Sequence, residues 1–268
     1  MRSLYLISAT VLIVASVAHA ETKPQISVTS KAAEITVTVQ DALRRHPGLA
    51  ENCLAEGRRW AETSRAEAAK ELKESPEFFT EGRRWTFERS YELASVVGRY
   101  VSVIRDDGTY AGGAHPNSRI DTILWDREAR KRISVRPFFR ETADNGPTLT
   151  TIARLARIAV AAEKLERGAI NLDMPKDQLT PERLASLDTQ IAAGIQPSLL
   201  KLGPVTLALS TAPGKSAGLM LHYSPYDVGS YAEGPYTAFV PYTAIRQFLS
   251  AEGLAIFGGS LPKGDRTP

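Results

Sequence analysis

The sequence predicts an α+β fold: antiparallel sheet packed against several helices, arranged as two closely packed lobes. Three observations point there. Apolar residues alternate at period two in several short segments, recur near period 3.6 in two long ones, and no repeat, low-complexity run or flexible linker cuts the chain into modules. At 268 residues and 43% hydrophobic content, the chain can bury one good core or two smaller ones.

The first twenty residues, "MRSLYLISATVLIVASVAHA", have one early charge at Arg2, an apolar run from Leu4 to Val17, and the small-x-small ending Ala18-His19-Ala20. These are the parts of a secretory signal peptide cut before Glu21. A transmembrane anchor is the competing reading, and the run is short for it. The expected location is the bacterial periplasm.

In the chain that follows, Ile35, Val37 and Val39 alternate with threonines as a half-buried strand. From Leu49 to Glu74 the apolar spacing becomes helical, through Leu49, Cys53, Trp60, Ala61, Ala68 and Leu72. Trp85, Phe87, Tyr91 and Leu93 then alternate, and "VVGRYVSVIRDDGTY" reads as a neighbouring antiparallel strand closed by Asp107-Gly108. Residues 120–125 carry apolar groups on both faces of a further strand, and "RISVRPFF" reads as a short one. Asn145-Gly146-Pro147 opens a helix with Ile152, Leu155, Ile158, Ala159, Ala162 and Leu165 as its buried stripe, ended by Gly168. Thr180 and Pro181 begin another helix, which Gly194 and Pro197 break. "PVTLALST", "AGLMLHYSP" and "YTAFVPY" are the last strands, before a short helix in "TAIRQFL" and a glycine-rich tail. The expected division is a leader at 1–20, an amino-terminal lobe at 21–110, a carboxy-terminal lobe at 111–260 and a flexible tail at 261–268.

Charge and cysteine content narrow the function class. With 33 basic and 30 acidic residues, and no long Lys/Arg run, the chain lacks the footprint of a nucleic-acid binder. The single cysteine, Cys53, cannot form an internal disulfide, and its place on the helix stripe reads as apolar packing.

The motifs of common catalysts are missing. His46, His115 and His222 show no short ligand spacing, and HExxH, GxSxG, P-loop and dinucleotide fingerprints are absent. No cofactor or metal is expected. Asp106, Asp107, Asp121 and Asp126 cluster in sequence and include candidates for a paired-carboxylate site, although Asp-Asp-Gly also reads as a simple turn. His115 sits in Gly112-Gly113-Ala114-His115-Pro116-Asn117, where two glycines and a proline favour a tight corner. Corner residue, binding group and catalytic group all stay open for it. "SPYDVGSYAEGPYTAFVPY" carries Tyr223, Tyr226, Tyr231, Tyr236 and Tyr242, rings that serve either packing or contact.

The segments "YAGGAHPNSRIDTILWD" and "YSPYDVGSYAEGPYTAFVPYTAIRQFL" resemble the two signature stretches of the extracytoplasmic domain found in RsiV-type anti-sigma factors and beside the catalytic domain of PdaC-type peptidoglycan deacetylases. The resemblance covers roughly residues 26 to 258. It implies the α+β fold and an outside-facing role, since the RsiV-type domain recognises lysozyme and the associated enzymes work on peptidoglycan. The chain departs from both parents. A leader leaves no cytoplasmic sigma-binding segment, and the deacetylase domain with its Asp-and-two-His motif is missing. The resemblance therefore implies a noncatalytic module for a lysozyme-like protein or a peptidoglycan fragment. Its candidate binding residues are His115, Asn117, Tyr226, Asp227, Tyr231 and Tyr236, with Gly112, Gly113 and Pro116 as the structural corner. The alternative is an envelope hydrolase using the carboxylates or His115.

Overall fold

The computed structural model describes residues 23–170, 175 and 178–264; the leader at 1–20 lies outside them, as do the last four residues of the expected tail. Two sheets and a set of helices form two lobes. The first sheet takes β1 (Ile26–Thr29), β2 (Ala33–Val39), β3 (Trp85–Val97), β4 (Tyr100–Tyr110), β5 (Asn117–Asp126) and β6 (Lys131–Ile133) in sequence order. Every pairing is antiparallel except β2 with β3, which a long helix, α1 (Pro47–Glu74), connects in parallel.

Helix α1 lies on one face of this sheet because the period-two residues of the strands match its stripe. Ile35, Val37 and Val39 on β2, Val101 and Val103 on β4, and Ile123 and Trp125 on β5 join Leu49 and Cys53 in one core. Gly57 lets the helix come close, since a Cβ there would stand 2.6 Å from a methyl of Val37. Cys53 is fully buried, and burial pushes its thiol up to about 12.

The second lobe packs α2 (Pro147–Arg167), α3 (Pro181–Leu187) and α4 (Thr189–Gly194) with a three-stranded antiparallel sheet of β7 (Val205–Leu207), β8 (Gly218–Tyr223) and β9 (Tyr236–Pro241). Two short helices follow, α5 (Tyr242–Ile245) and α6 (Ala251–Ile256). Its core extends onto the other face of the first sheet through Val97, Tyr100 and Leu124. The apolar groups on both faces of β5 thus serve two cores.

Hydroxyl groups join the lobes. Ser95, beside a register shift in β3, donates to the Leu207 carbonyl at 2.6 Å, while Ser102 Oγ accepts from Leu207 N–H and Thr122 Oγ1 from Val205 N–H, both at 3.0 Å. The outer edge of β7 is thereby satisfied by side chains of the first sheet rather than by another strand. The first sheet runs through residue 110 and on to Ile133, so that position is the end of β4 before the β4–β5 corner.

Five local expectations need correction. Asp107-Gly108 does not end a strand: β4 continues to Tyr110, and the β3–β4 turn is Gly98-Arg99, with Gly98 at φ 53°. Arg89 holds the Asp107 carboxylate across the ladder, which overrides the local turn signal. On α2, the deepest stripe is Leu149, Ile152, Ala153, Ala156, Val160, Ala161 and Lys164, whereas Leu155, Ile158, Ala159, Ala162 and Leu165 are half-buried. The helix begun by Thr180 breaks at Asp188, whose carboxylate caps α4 by accepting from Gln190 and Ile191 N–H. "RISVRPFF" gives only a three-residue strand before a 3-10 turn at Arg136–Phe138. The glycine-rich end contains α6, capped by Ser250.

Candidate functional site

The two segments singled out in the sequence meet at the junction of the lobes. The first is the corner joining β4 to β5. Gly112 and Gly113 take φ values of 83° and 111°, and nothing lies within 4 Å of a Cβ built on either, so backbone conformation rather than space demands glycine. His115 Nδ1 lies 2.9 Å from the Pro116 carbonyl oxygen, and Tyr110 Oη donates to the Gly113 carbonyl at 3.2 Å.

The second segment follows β8. Asp227 N–H donates to the Ser224 carbonyl at 3.0 Å, closing a turn in which Pro225 holds the first central position and Tyr226 the second, with φ 76°. That is the type II pattern, and it asks for glycine or asparagine where tyrosine stands. The Asp227 carboxylate accepts from Ser224 N–H at 2.7 Å, and Ser224 Oγ accepts from Ile120 N–H at 2.9 Å, which ties the turn to β5. A 3-10 turn at Tyr231–Glu233 follows, held by Glu233 Oε1 accepting from Ser230 N–H at 2.8 Å.

Three predicted residues come together. The rings of His115 and Tyr231 stack with centroids 3.7 Å apart and planes 18° from parallel. Tyr226 stands beside both, 6.4 Å and 5.6 Å between centroids, with its hydroxyl 3.4 Å from His115 Nε2. The Tyr226 side chain is solvent-facing, at 61% exposure.

Asn117 is near this group, exposed at the start of β5. With Pro116, Ser118 and Tyr231 it walls a cleft of about 430 Å³ on the sheet face opposite α1. Thr36, Thr38, Glu88, Ser90 and Asp106 also line it. The strand register puts these groups on one face, because Thr36, Glu88, Gly108 and Ser118 stand side by side and Thr38, Ser90 and Asp106 form the next row. Burial raises the Asp106 pKa against the hydrogen bond from Ser118 Oγ at 3.1 Å.

The remaining candidates sit elsewhere. The Asp227 carboxylate faces its own turn. Tyr236 is buried on β9, where it donates to Glu233 at 2.8 Å and Arg167 lies 4.3 Å above its ring. Burial and that bond raise its pKa.

The four aspartates do not form one constellation. Asp106 and Asp107 point to opposite faces of β4. Asp107 is paired with Arg89, Asp121 accepts from Arg105 at 2.7 Å, and Asp126 pairs with Arg99 at 3.2 Å. His46 is at the start of α1, and His222 is buried on β8 with Nε2 3.0 Å from Thr206 Oγ1. Among the described residues, no group of three or more His, Cys, Asp or Glu side chains is placed to hold a metal ion.

One buried charge escaped the sequence reading. Lys164 is 2% exposed on α2, with Asp188 at 3.0 Å and Glu233 at 3.3 Å. It fastens the helices to the turn that carries Tyr231. A lone lysine in an alanine-rich stripe gives little notice of this; the acid-rich loops that follow are the only signal.

No protein-family model matches the chain, and no curated protein matches it. Solved structures do. A member of the DUF3298 family from Bacteroides fragilis superposes with a TM-score of 0.53 at 13% identity, over 85% of this chain and 93% of that one. A DUF3298 family protein from Pseudomonas aeruginosa PAO1 gives 0.50 at 16% identity, over 86% and 90%. The chain shares their fold. Among the described residues, no helix is long and apolar enough to cross a membrane.

Proposed function

We propose that this chain is an exported, noncatalytic binding module of the bacterial envelope, directed to the periplasm by residues 1–20, and that it recognises a lysozyme-like protein or a peptidoglycan-related ligand. The observation that carries this reading is the group of exposed Tyr226 and half-buried His115 and Tyr231, assembled from both signature segments at the lobe junction. A tyrosine held at a glycine-type backbone angle costs on the order of 1 to 3 kcal/mol, and such strain persists where the side chain is put to use. Aromatic rings with polar tips are the residues that anchor contact surfaces. Asn117 and the adjoining polar cleft extend the surface toward a hydroxyl-rich ligand.

Biolayer interferometry of the mature protein against purified lysozyme and soluble peptidoglycan fragments tests this. Saturable binding to one of them, lost in Tyr226→Ala with Tyr231→Ala, is the expected result. Turnover of peptidoglycan that needs Asp106 or His115 would favour the hydrolase reading instead.

A further inference from the structure

A second constellation lies at the other end of β5, where the β5–β6 turn meets the start of α1. Arg45, His46, Gly48, Trp125, Arg127 and Arg130 line a cavity of about 310 Å³, with no aspartate or glutamate among them. The neighbouring acids are engaged elsewhere. Asp41 pairs with Arg44 at 3.2 Å, Glu128 pairs with Arg99 at 3.0 Å, and Asp126 combines its Arg99 pairing with bonds from Glu128 and Ala129 N–H.

Arg127 is fixed by donating to the Gly98 carbonyl at 2.5 Å and to the Arg99 carbonyl at 3.4 Å. The side chains of Arg45 and Arg130, by contrast, make no hydrogen bond or ion pair with any described residue. Arg130 also sits at φ 50°, just before β6 in the β5–β6 turn. Gly48 lies against the floor, where a Cβ would stand in ordinary contact with Trp125 Cζ2 at 3.5 Å and Arg130 Nε at 3.6 Å. The first turn of α1 contains no acidic residue, and its N-cap, His46, makes no side-chain capping bond.

Three guanidinium groups therefore converge without a counter-charge at the positive end of a 28-residue helix. Like charges gathered this way repel one another and focus a positive potential into the cavity. The pKa of His46 is lowered by burial first, then by Arg127 and Arg45, which is the same field acting on a neighbour. One carboxylate offers a single charge and two oxygens in a plane. A phosphate group offers more charge and oxygens in three directions, which suits several arginine forks together.

We propose that this cavity binds a phosphate group, either of a small soluble phosphate or of a lipid headgroup. The site is separate from the aromatic group at the far end of β5, and neither needs the other.

Titration of the full chain with inorganic pyrophosphate, followed by calorimetry and by tryptophan emission, tests the proposal. Trp125 forms the cavity floor, so binding shifts the emission, and Trp125→Phe removes that shift while the heat signal stays. Arg45→Gln with Arg130→Gln, both at exposed positions and checked for native circular dichroism, weakens binding at least ~10-fold, and raised salt weakens it in the wild type. Flotation with phosphatidylcholine vesicles, with and without phosphatidylglycerol, separates the sources. Arginine-dependent flotation with phosphatidylglycerol and no response to pyrophosphate assigns the phosphate to a lipid. Binding to neither, or equal binding by the double-arginine variant, overturns the proposal.

Discussion

The imidazole of His115 is stacked on the phenol ring of Tyr231, their centroids 3.7 Å apart although 115 residues of chain lie between them. The stack joins the β4–β5 corner of the first sheet to the turn that the second lobe sends across it. It also settles how the corner should respond to mutation.

Gly113→Val is expected to destabilise the fold more than His115→Ala. The first forces a β-branched residue to φ 111° at a cost of about 1 to 3 kcal/mol. The second removes a half-buried stack, one good hydrogen bond and one long one, about 1 kcal/mol. Urea titrations of the two variants check the ranking.

Tyr226→Gly is expected to raise stability by about 1 kcal/mol while removing ligand binding. Glycine takes φ 76° without the penalty that tyrosine carries there. Parallel thermal melts and binding curves show whether the two properties separate.

Lys164→Met is expected to cost ~3 kcal/mol. It leaves Asp188 and Glu233 facing each other across a largely buried space without their shared cation. Denaturant unfolding gives the loss. A second readout is increased exchange of the Tyr231–Glu233 turn, which Glu233 holds.

His222 is expected to make the fold acid-sensitive. Burial lowers its pKa from 6.5 to about 4, so the unfolded chain takes up a proton before the folded one. Its contribution is fully present above pH 6.5 and is lost as pH falls through that value toward 4, up to about 3 kcal/mol. Unfolding free energies across that range should show the slope in the wild type and flatten in His222→Gln.

Much of this arrangement is legible in the chain itself, and what escaped has identifiable causes. Ile35, Val37 and Val39 announce β2 because one face of that strand is buried and the other is not. The Gly112-Gly113 corner is visible because few residues tolerate its angles. Asp107-Gly108 misleads, since a tertiary partner, Arg89, outweighs the local preference for a turn. Ser95, Ser102 and Thr122 read as ordinary strand residues, and nothing local tells that they satisfy the edge of β7. Ser224-Pro225-Tyr226-Asp227 signals a proline-led turn, but not the positive φ of Tyr226, because proline at that place serves type I and type II turns alike. The partnership of His115 with Tyr231 had none, because it depends on how the two lobes dock.

Hydrogen–deuterium exchange of the mature protein, with and without saturating lysozyme or peptidoglycan fragment, tests the recognition surface most directly. New protection concentrated in residues 110–118 and 224–234 is the result this account predicts. Protection confined to other segments, or no binding to either ligand, would contradict it.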